Sequence, residues 1–334
     1  MEGTGIATSR IGAADRLVHL LARLGVKRNE WRVRPGLYAL GDAGPDSPVF
    51  VSANYRLSFD ALRQALEGMD AYILVLDTKG VNVWCSAGKG SFGTGELVAR
   101  IEKTGLAGVV SHRTLIAPQL CATGVAAHEV RRRSGFRVKF GPVRAEDIKD
   151  YMANMANGGK ATPEMRRVRF GLRDRAVLVP VEAVNAFPVA AGASSLAVVA
   201  GDAVGAAGIA SASAAGLVAF PLLLPWLPGE DFSLKGFALG GLVGLGAAAA
   251  SLARDGAMPL PLRAIKAASY ALALPPVTAF IGLNFTGCTT YTSPSGVRRE
   301  MNRYIPVMAG MAGAGLLANV AARVAHAFRG EKDG

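Results

Sequence analysis

The sequence predicts an α/β fold followed by an all-α one: an N-terminal Rossmann-like unit with a mostly parallel sheet, then a transmembrane unit of five helices. Three observations predict it. Charge is uneven, with 27 Lys+Arg and 18 Asp+Glu in residues 1–186 against 10 and 7 in residues 187–334. Beyond Pro188 the chain offers repeated apolar stretches of bilayer length. Ahead of it, short β-rich runs alternate with helical periodicity, the pattern of a parallel sheet with helices on its faces. The predicted divisions are an α/β domain over 1–165 with a distinctive segment at 78–94, a basic linker over 166–182 and the membrane domain over 183–334.

In the first domain, strands are expected near 48–53, 72–77, 108–111 and 136–140, and helices near 58–68, 94–104, 122–133 and 144–156. Ser58 and Thr94 stand where helix-capping hydroxyls belong. The segments then falling at the carboxyl ends of strands, where such sheets bind ligands, are Asn54-Tyr55, Thr78 through Thr94, Ser111-His112-Arg113 and Gly141-Pro142. In the second domain, the stretch between Glu182 and Glu230 contains one charge, Asp202, and suits two helices joined by a turn near Gly201–Gly205. Further spans read at 236–253, 265–283 and 305–327, rich in the Gly and Ala that let helices approach closely in lipid. Asp202 and the prolines at 221, 225, 275 and 276 are the irregular features. Arg166, Arg167, Arg169, Arg173 and Arg175 before the first span place the N-terminal domain on the cytoplasmic side of a multi-pass inner-membrane protein.

Three cysteines, at 85, 121 and 288, form no paired pattern, which excludes a disulfide framework and any Cys-x-x-Cys zinc or iron–sulfur site. No apolar leader opens the sequence, so the first domain is expected to stay in the cytoplasm. A net charge of +12 raises nucleic acid as a partner, but the arginines are scattered and the densest run, Arg131–Arg133, closes a helix where cations suit the dipole. No nucleic-acid partner is expected; membrane lipid is.

The chemistry lies in 78–94. A Walker A loop ending at Gly88-Lys89 needs glycine at 83 and a hydroxyl at 90, where the chain has Val83 and Gly90. Gly88-x-Gly90-x-x-Gly93 satisfies the dinucleotide fingerprint, but it begins eleven residues past Asp77 and lacks the acidic residue downstream. What remains is Cys85, beside Trp84 and four residues before Lys89, where a nearby ammonium favours the thiolate that ligates metals or attacks electrophiles. The alternative is a buried structural cysteine.

Asn82-Val-Trp-Cys-Ser-Ala-Gly-Lys89 closely resembles the cap-helix signature of the HgcA family, the membrane corrinoid proteins of microbial mercury methylation. Val51–Ser58, Ile73–Gly80, His112–Gln119, Gly141–Arg144, Leu224–Pro228, Asn284–Cys288 and Ser293–Gly296 resemble it too, so the likeness covers most of 45–330. The resemblance implies a cobalamin-type corrinoid held base-off over the sheet, with Cys85 as lower axial ligand to cobalt and the catalytic residue. It also implies that Asn82, Val83, Trp84, Ser86 and Ala87 form the cap, that Gly88, Gly90 and Gly93 let backbone approach the macrocycle, and that Lys89 favours the thiolate or meets a corrin amide. Asn54, Tyr55, Thr78, Phe92, Thr94, His112 and Gln119 complete the predicted cofactor-binding set.

The activity implied is methyl transfer to inorganic Hg(II), with methyl groups drawn from a methyltetrahydrofolate-linked donor system. A ferredoxin-like protein with two [4Fe–4S] clusters would be the reductant, because this chain has no cluster-ligand spacing. A related methyltransferase with a metalloid or thiol acceptor, and a non-catalytic membrane corrinoid carrier, are the alternatives. Ser86 stands where the family has alanine, placed to hydrogen-bond the sulfur. Leu120-Cys-Ala-Thr-Gly124 also departs from the family, leaving Cys121 open between a second thiol and a buried packing residue. Cys288 stays open between a metal-handling thiol and packing.

Overall fold

The computed structural model describes residues 3–289 and 291–330, with the side chains of Cys288 and Pro294 outside the description, so the reading of Cys288 falls outside the described residues. The chain divides into two compact units, 1–168 and 169–334.

The first unit is a six-stranded sheet built from β1 (Gly5–Ala7), β2 (Gly36–Leu40), β3 (Val49–Ala53), β4 (Ala71–Leu76), β5 (Thr114–Ala117) and β6 (Arg137–Phe140), in the order β1-β2-β4-β3-β5-β6. The last four strands in sequence run parallel, whereas β2 pairs antiparallel with β4. β3 and β4 are buried along their whole lengths, as expected of central strands covered on both faces. Their side chains alternate between two cores: Val49, Val51, Leu74 and Leu76 pack on one face, Phe50, Ile73 and Val75 on the other. Helices α4 (Thr94–Thr104) and α6 (Ala127–Ser134) contribute Leu97, Ile101 and Val130 to the first core. Helix α2 (Arg56–Ala65) and α7 (Ile148–Ala156) contribute Phe59, Leu62 and Ile148 to the second. Ahead of β2, α1 (Ala13–Arg23) packs through a charge cluster in which Asp60 of α2, fully buried, accepts from His19 at 2.8 Å, Arg56 Nε at 2.8 Å and Arg63 Nε at 2.6 Å.

Two expectations are corrected. The strand expected at 108–111 is a short helix, α5 (Leu106–Val109), and the strand lies at Thr114–Ala117. Gly105 ends α4 with a left-handed φ of 62° and re-nucleates a helical turn, while the alternation of Leu115 and Ala117 into one core against Ile116 in the other fixes the later strand. The helix starts also differ: α2 begins at Arg56, leaving Ser58 inside it, and Gly93 caps α4. Thr94 Oγ1 instead accepts from the Ala126 amide at 2.9 Å.

Among its described residues the second unit contains five helices long and apolar enough to cross a membrane: Leu172–Val199, Ala203–Leu223, Phe232–Arg254, Leu260–Phe285 and Ser295–Arg329. The turn between the first two falls at Gly201, with φ of 73°, and Asp202 caps the second by accepting from Gly205 N at 2.9 Å. Asp202 also accepts from Tyr270 Oη at 2.5 Å, so the one charge of that stretch is a buried, hydrogen-bonded cap. Gly236, Gly240 and Gly244 line one face of the third span against Tyr270–Ala279 of the fourth; a Cβ at Gly236 would lie 2.5 Å from Ala279 Cα.

Candidate functional site

The sheet order places β4 and β5 on opposite sides of β3, so the chain reverses its direction of winding there and leaves a crevice at the carboxyl ends of β3 and β5. A cleft of about 360 Å³ occupies that crevice. Phe50, Val51 and Ser52 of β3 form part of its lining with Ile116 and Ala117 of β5, and Ser58, Ala61 and Leu62 of α2 form a wall. Gly141 through Ala145, leaving β6, contribute a further side, and Asn82, Val83 and Trp84 close over it.

Those last residues belong to α3 (Val83–Gly88), reached from β4 by a turn that leaves little freedom. Lys79 and Gly80 both take left-handed φ, 58° and 75°, and a Cβ on Gly80 would lie 2.2 Å from the Asn29 carbonyl oxygen. Asn54, buried at the end of β3, holds the turn. Its Oδ1 accepts from Thr78 N at 3.1 Å, Thr78 Oγ1 at 2.8 Å and Gly80 N at 2.9 Å, and its Nδ2 donates to Asp77 at 3.2 Å. Asn82 then caps α3 by accepting from Cys85 N at 2.9 Å. On the inner side, Ala87 and Phe92 join the core, and Gly124 packs so closely that a Cβ there would lie 2.4 Å from Phe92 O. Thr94 N donates to Gly124 O at 3.2 Å, so the C-terminal flank of α3 is fixed to the 121–126 loop, as its N-terminal flank is to Asn54.

Cys85 sits on this short helix with its thiol exposed and not in a disulfide, next to Trp84, which is 41% exposed. It is not among the residues lining the cleft; it stands on the same turn as the three that are. Gly88, Lys89 and Gly90 are exposed beyond it, whereas Ser86, Ala87, Phe92 and Gly93 are buried beneath. The Ser86 hydroxyl is directed to the carbonyls of Asn82 at 2.6 Å and Val83 at 3.0 Å, so its hydrogen bonding runs into its own helix and not to the sulfur. Cys121 is fully buried, and burial pushes its thiol up to about 12.

Of the predicted set, then, Asn82, Val83 and Trp84 line the cleft, and Asn54 and Thr78 anchor the turn that carries them. Tyr55, buried, caps α2. Gln119 follows β5, but its Oε1 accepts from Arg166 Nε at 3.0 Å. His112 is not brought to the cleft. Because β5 begins at Thr114, His112 precedes the strand and lies at its amino end, where both ring nitrogens are engaged: Nδ1 accepts from Thr114 N at 3.2 Å and Nε2 lies 2.9 Å from Ser47 O. Sequence reasoning missed Ser58, Leu62 and Ile116 as lining residues. Ser58 read as a helix cap, Leu62 fell inside a predicted helix and Ile116 outside every predicted strand, so none of them gave a sign of standing under a cleft.

Residues 27–152 match the family described as the CO dehydrogenase/acetyl-CoA synthase delta subunit, a match that ends ahead of the first apolar span. The chain is 34% identical over 127 residues to the acetyl-CoA decarbonylase/synthase complex subunit gamma of Archaeoglobus fulgidus, covering 37% of this chain and 27% of that protein. It is 33% identical over 132 residues to the subunit of the same name from Methanothermobacter thermautotrophicus, covering 39% and 28%. The corrinoid/iron-sulfur protein large subunit of Moorella thermoacetica is 28% identical over 153 residues, covering 43% and 34%. The chain thus spans about a quarter to a third of the length of these curated relatives, and the family match over 27–152 takes in the cleft and cap.

Proposed function

We propose that this chain is a membrane-spanning, corrinoid-dependent methyltransferase that passes a methyl group to inorganic Hg(II), with Cys85 as the protein's ligand to cobalt. The observation that carries the proposal is an exposed thiol on a pinned cap helix at a strand-end cleft, within a segment that resembles the HgcA signature, in a domain similar to a corrinoid/iron-sulfur protein subunit. The five apolar helices support a multi-pass protein of the cytoplasmic membrane with the α/β unit inside.

The residues present fit a corrinoid. Among the described residues no three His, Cys, Asp or Glu converge into a metal-binding group. A single thiol is the donor count that a metal already held by a macrocycle leaves to the protein. The apolar strand ends and Trp84 would take one face of the ring, with Asn82 and Val83 beside it. When bound, a methylated corrinoid supplies a cobalt–carbon bond whose methyl leaves as a carbanion equivalent, the form a Hg(II) electrophile accepts.

As ligand, Cys85 would give up its thiol proton to solvent and would donate electron density more strongly than imidazole, which would favour that departure. Asn82 takes the Cys85 amide and Ser86 bonds to its own helix, so these neighbours leave the sulfur lone pairs to the metal. The reductant and methyl donor are separate partners: a two-cluster ferredoxin-like protein and a methyltetrahydrofolate-linked system.

The test loads the full chain in nanodiscs with methylated corrinoid and presents Hg(II), arsenite or a thiol in turn. Methylmercury from the wild type, with Cys85→Ala slower by about one to two orders of magnitude, is the expected outcome for loss of a tuning ligand. Transfer to arsenite or thiol without transfer to Hg(II), or an unchanged rate in Cys85→Ala, contradicts the proposal.

A further inference from the structure

Helix α1 presents two faces, and the fold uses one of them. Ala22 is fully buried, His19 reaches Asp60, and Asp15 accepts from Arg63 Nη2 at 2.9 Å. The opposite face carries Ala13, Leu17, Leu20 and Leu24 at spacings of four, three and four, one stripe along a helix. Leu17 is 57% and Leu20 54% exposed. Arg16 and Arg23 stand exposed along the edge of the stripe, and Arg10, Lys27 and Arg28 stand exposed at its two ends. Of these cations, Lys27 stands 3.5 Å from an exposed acid, Glu30.

We propose that this face of α1 is an interfacial anchor that lies on an anionic phospholipid surface, with Leu17 and Leu20 entering the headgroup boundary and Arg16, Arg23, Lys27 and Arg28 meeting lipid phosphates. Two arguments select lipid over protein as the occupant. The stripe is aliphatic and edged by cations, the composition of an interfacial helix, whereas protein interfaces concentrate aromatic residues and exclude lysine from their cores. The same chain carries five helices apolar enough to cross a membrane, so tethering gives the surface a high effective concentration and a weak contact suffices. The inference is independent of the corrinoid reading.

The experiment measures amide hydrogen exchange of residues 13–24 in the full chain, in nanodiscs of phosphatidylcholine alone or mixed with phosphatidylglycerol, with β4 as the internal control for folding. Slower exchange on the anionic discs only, reversed by high salt, is expected. Arg16→Gln/Arg23→Gln weakens the contact roughly fivefold per charge removed, and Leu17→Ser/Leu20→Ser abolishes it. Should the leucine variant raise β4 exchange, the arginine variant carries the test. Equal exchange on both kinds of disc overturns the proposal. Protection that ignores lipid charge and salt also overturns it, and assigns the stripe to a protein contact.

Discussion

Asn54 stands 24 residues from Thr78 in sequence and holds three donors of the β4–α3 turn on one side-chain oxygen. Asn54→Ala leaves the buried Gly80 amide without its acceptor and strips one from Thr78, and a loss of about 1–3 kcal/mol in denaturant unfolding is expected, with faster exchange confined first to 78–89. The cysteines separate as sharply. At pH 8, alkylation followed by peptide mapping is expected to modify Cys85 in the folded protein and to spare Cys121, buried and with its thiol held at about 12, until denaturant is added. Cys85 stood out in the sequence as a candidate because its octapeptide is local. The roles of Asn54 and Thr78 were not legible, since they depend on contacts between strand ends that no spacing reveals, and Ser86 was misread because a helical hydroxyl has a nearer acceptor in the preceding turn.

Among the elements, the clasp between α1 and α2 is one whose strength depends on acid. Burial pushes the Asp15 carboxyl up, but the Gly12 amide and the Arg63 and Arg56 guanidiniums outweigh it and hold the group below its ordinary value. A carboxyl depressed in the folded state contributes stability that is present above the unfolded pKa of 3.8 and is lost as pH falls through the lower folded value. Exchange in 13–24, corrected for intrinsic rate and measured in neutral detergent, should therefore accelerate below about pH 4, while Asp15→Asn is already faster at neutral pH and lacks that step. β3, β4, β6 and α4 were legible from buried runs and helical period. β5 was not, because Gly-Val-Val at 108–110 has strand propensity that the Gly105 turn overrides, and His112 was misplaced with it.

At the scale of the whole molecule, the chain joins a cleft at the winding reversal of a mostly parallel sheet to five helices apolar enough to span a bilayer. Both parts were legible, because charge density and hydrophobic period report on solvent directly. The strand order was not, since pairing between β2 and β4 is set by tertiary packing. The central claim is that the cap thiol ligates cobalt, and the absorption spectrum of the full chain, purified without oxygen and reconstituted with corrinoid, tests it most directly. One corrinoid per chain is expected, with bands that shift in Cys85→Ala while the cofactor stays bound. A folded chain that takes up no corrinoid, or a spectrum that Cys85→Ala leaves unmoved, would contradict it.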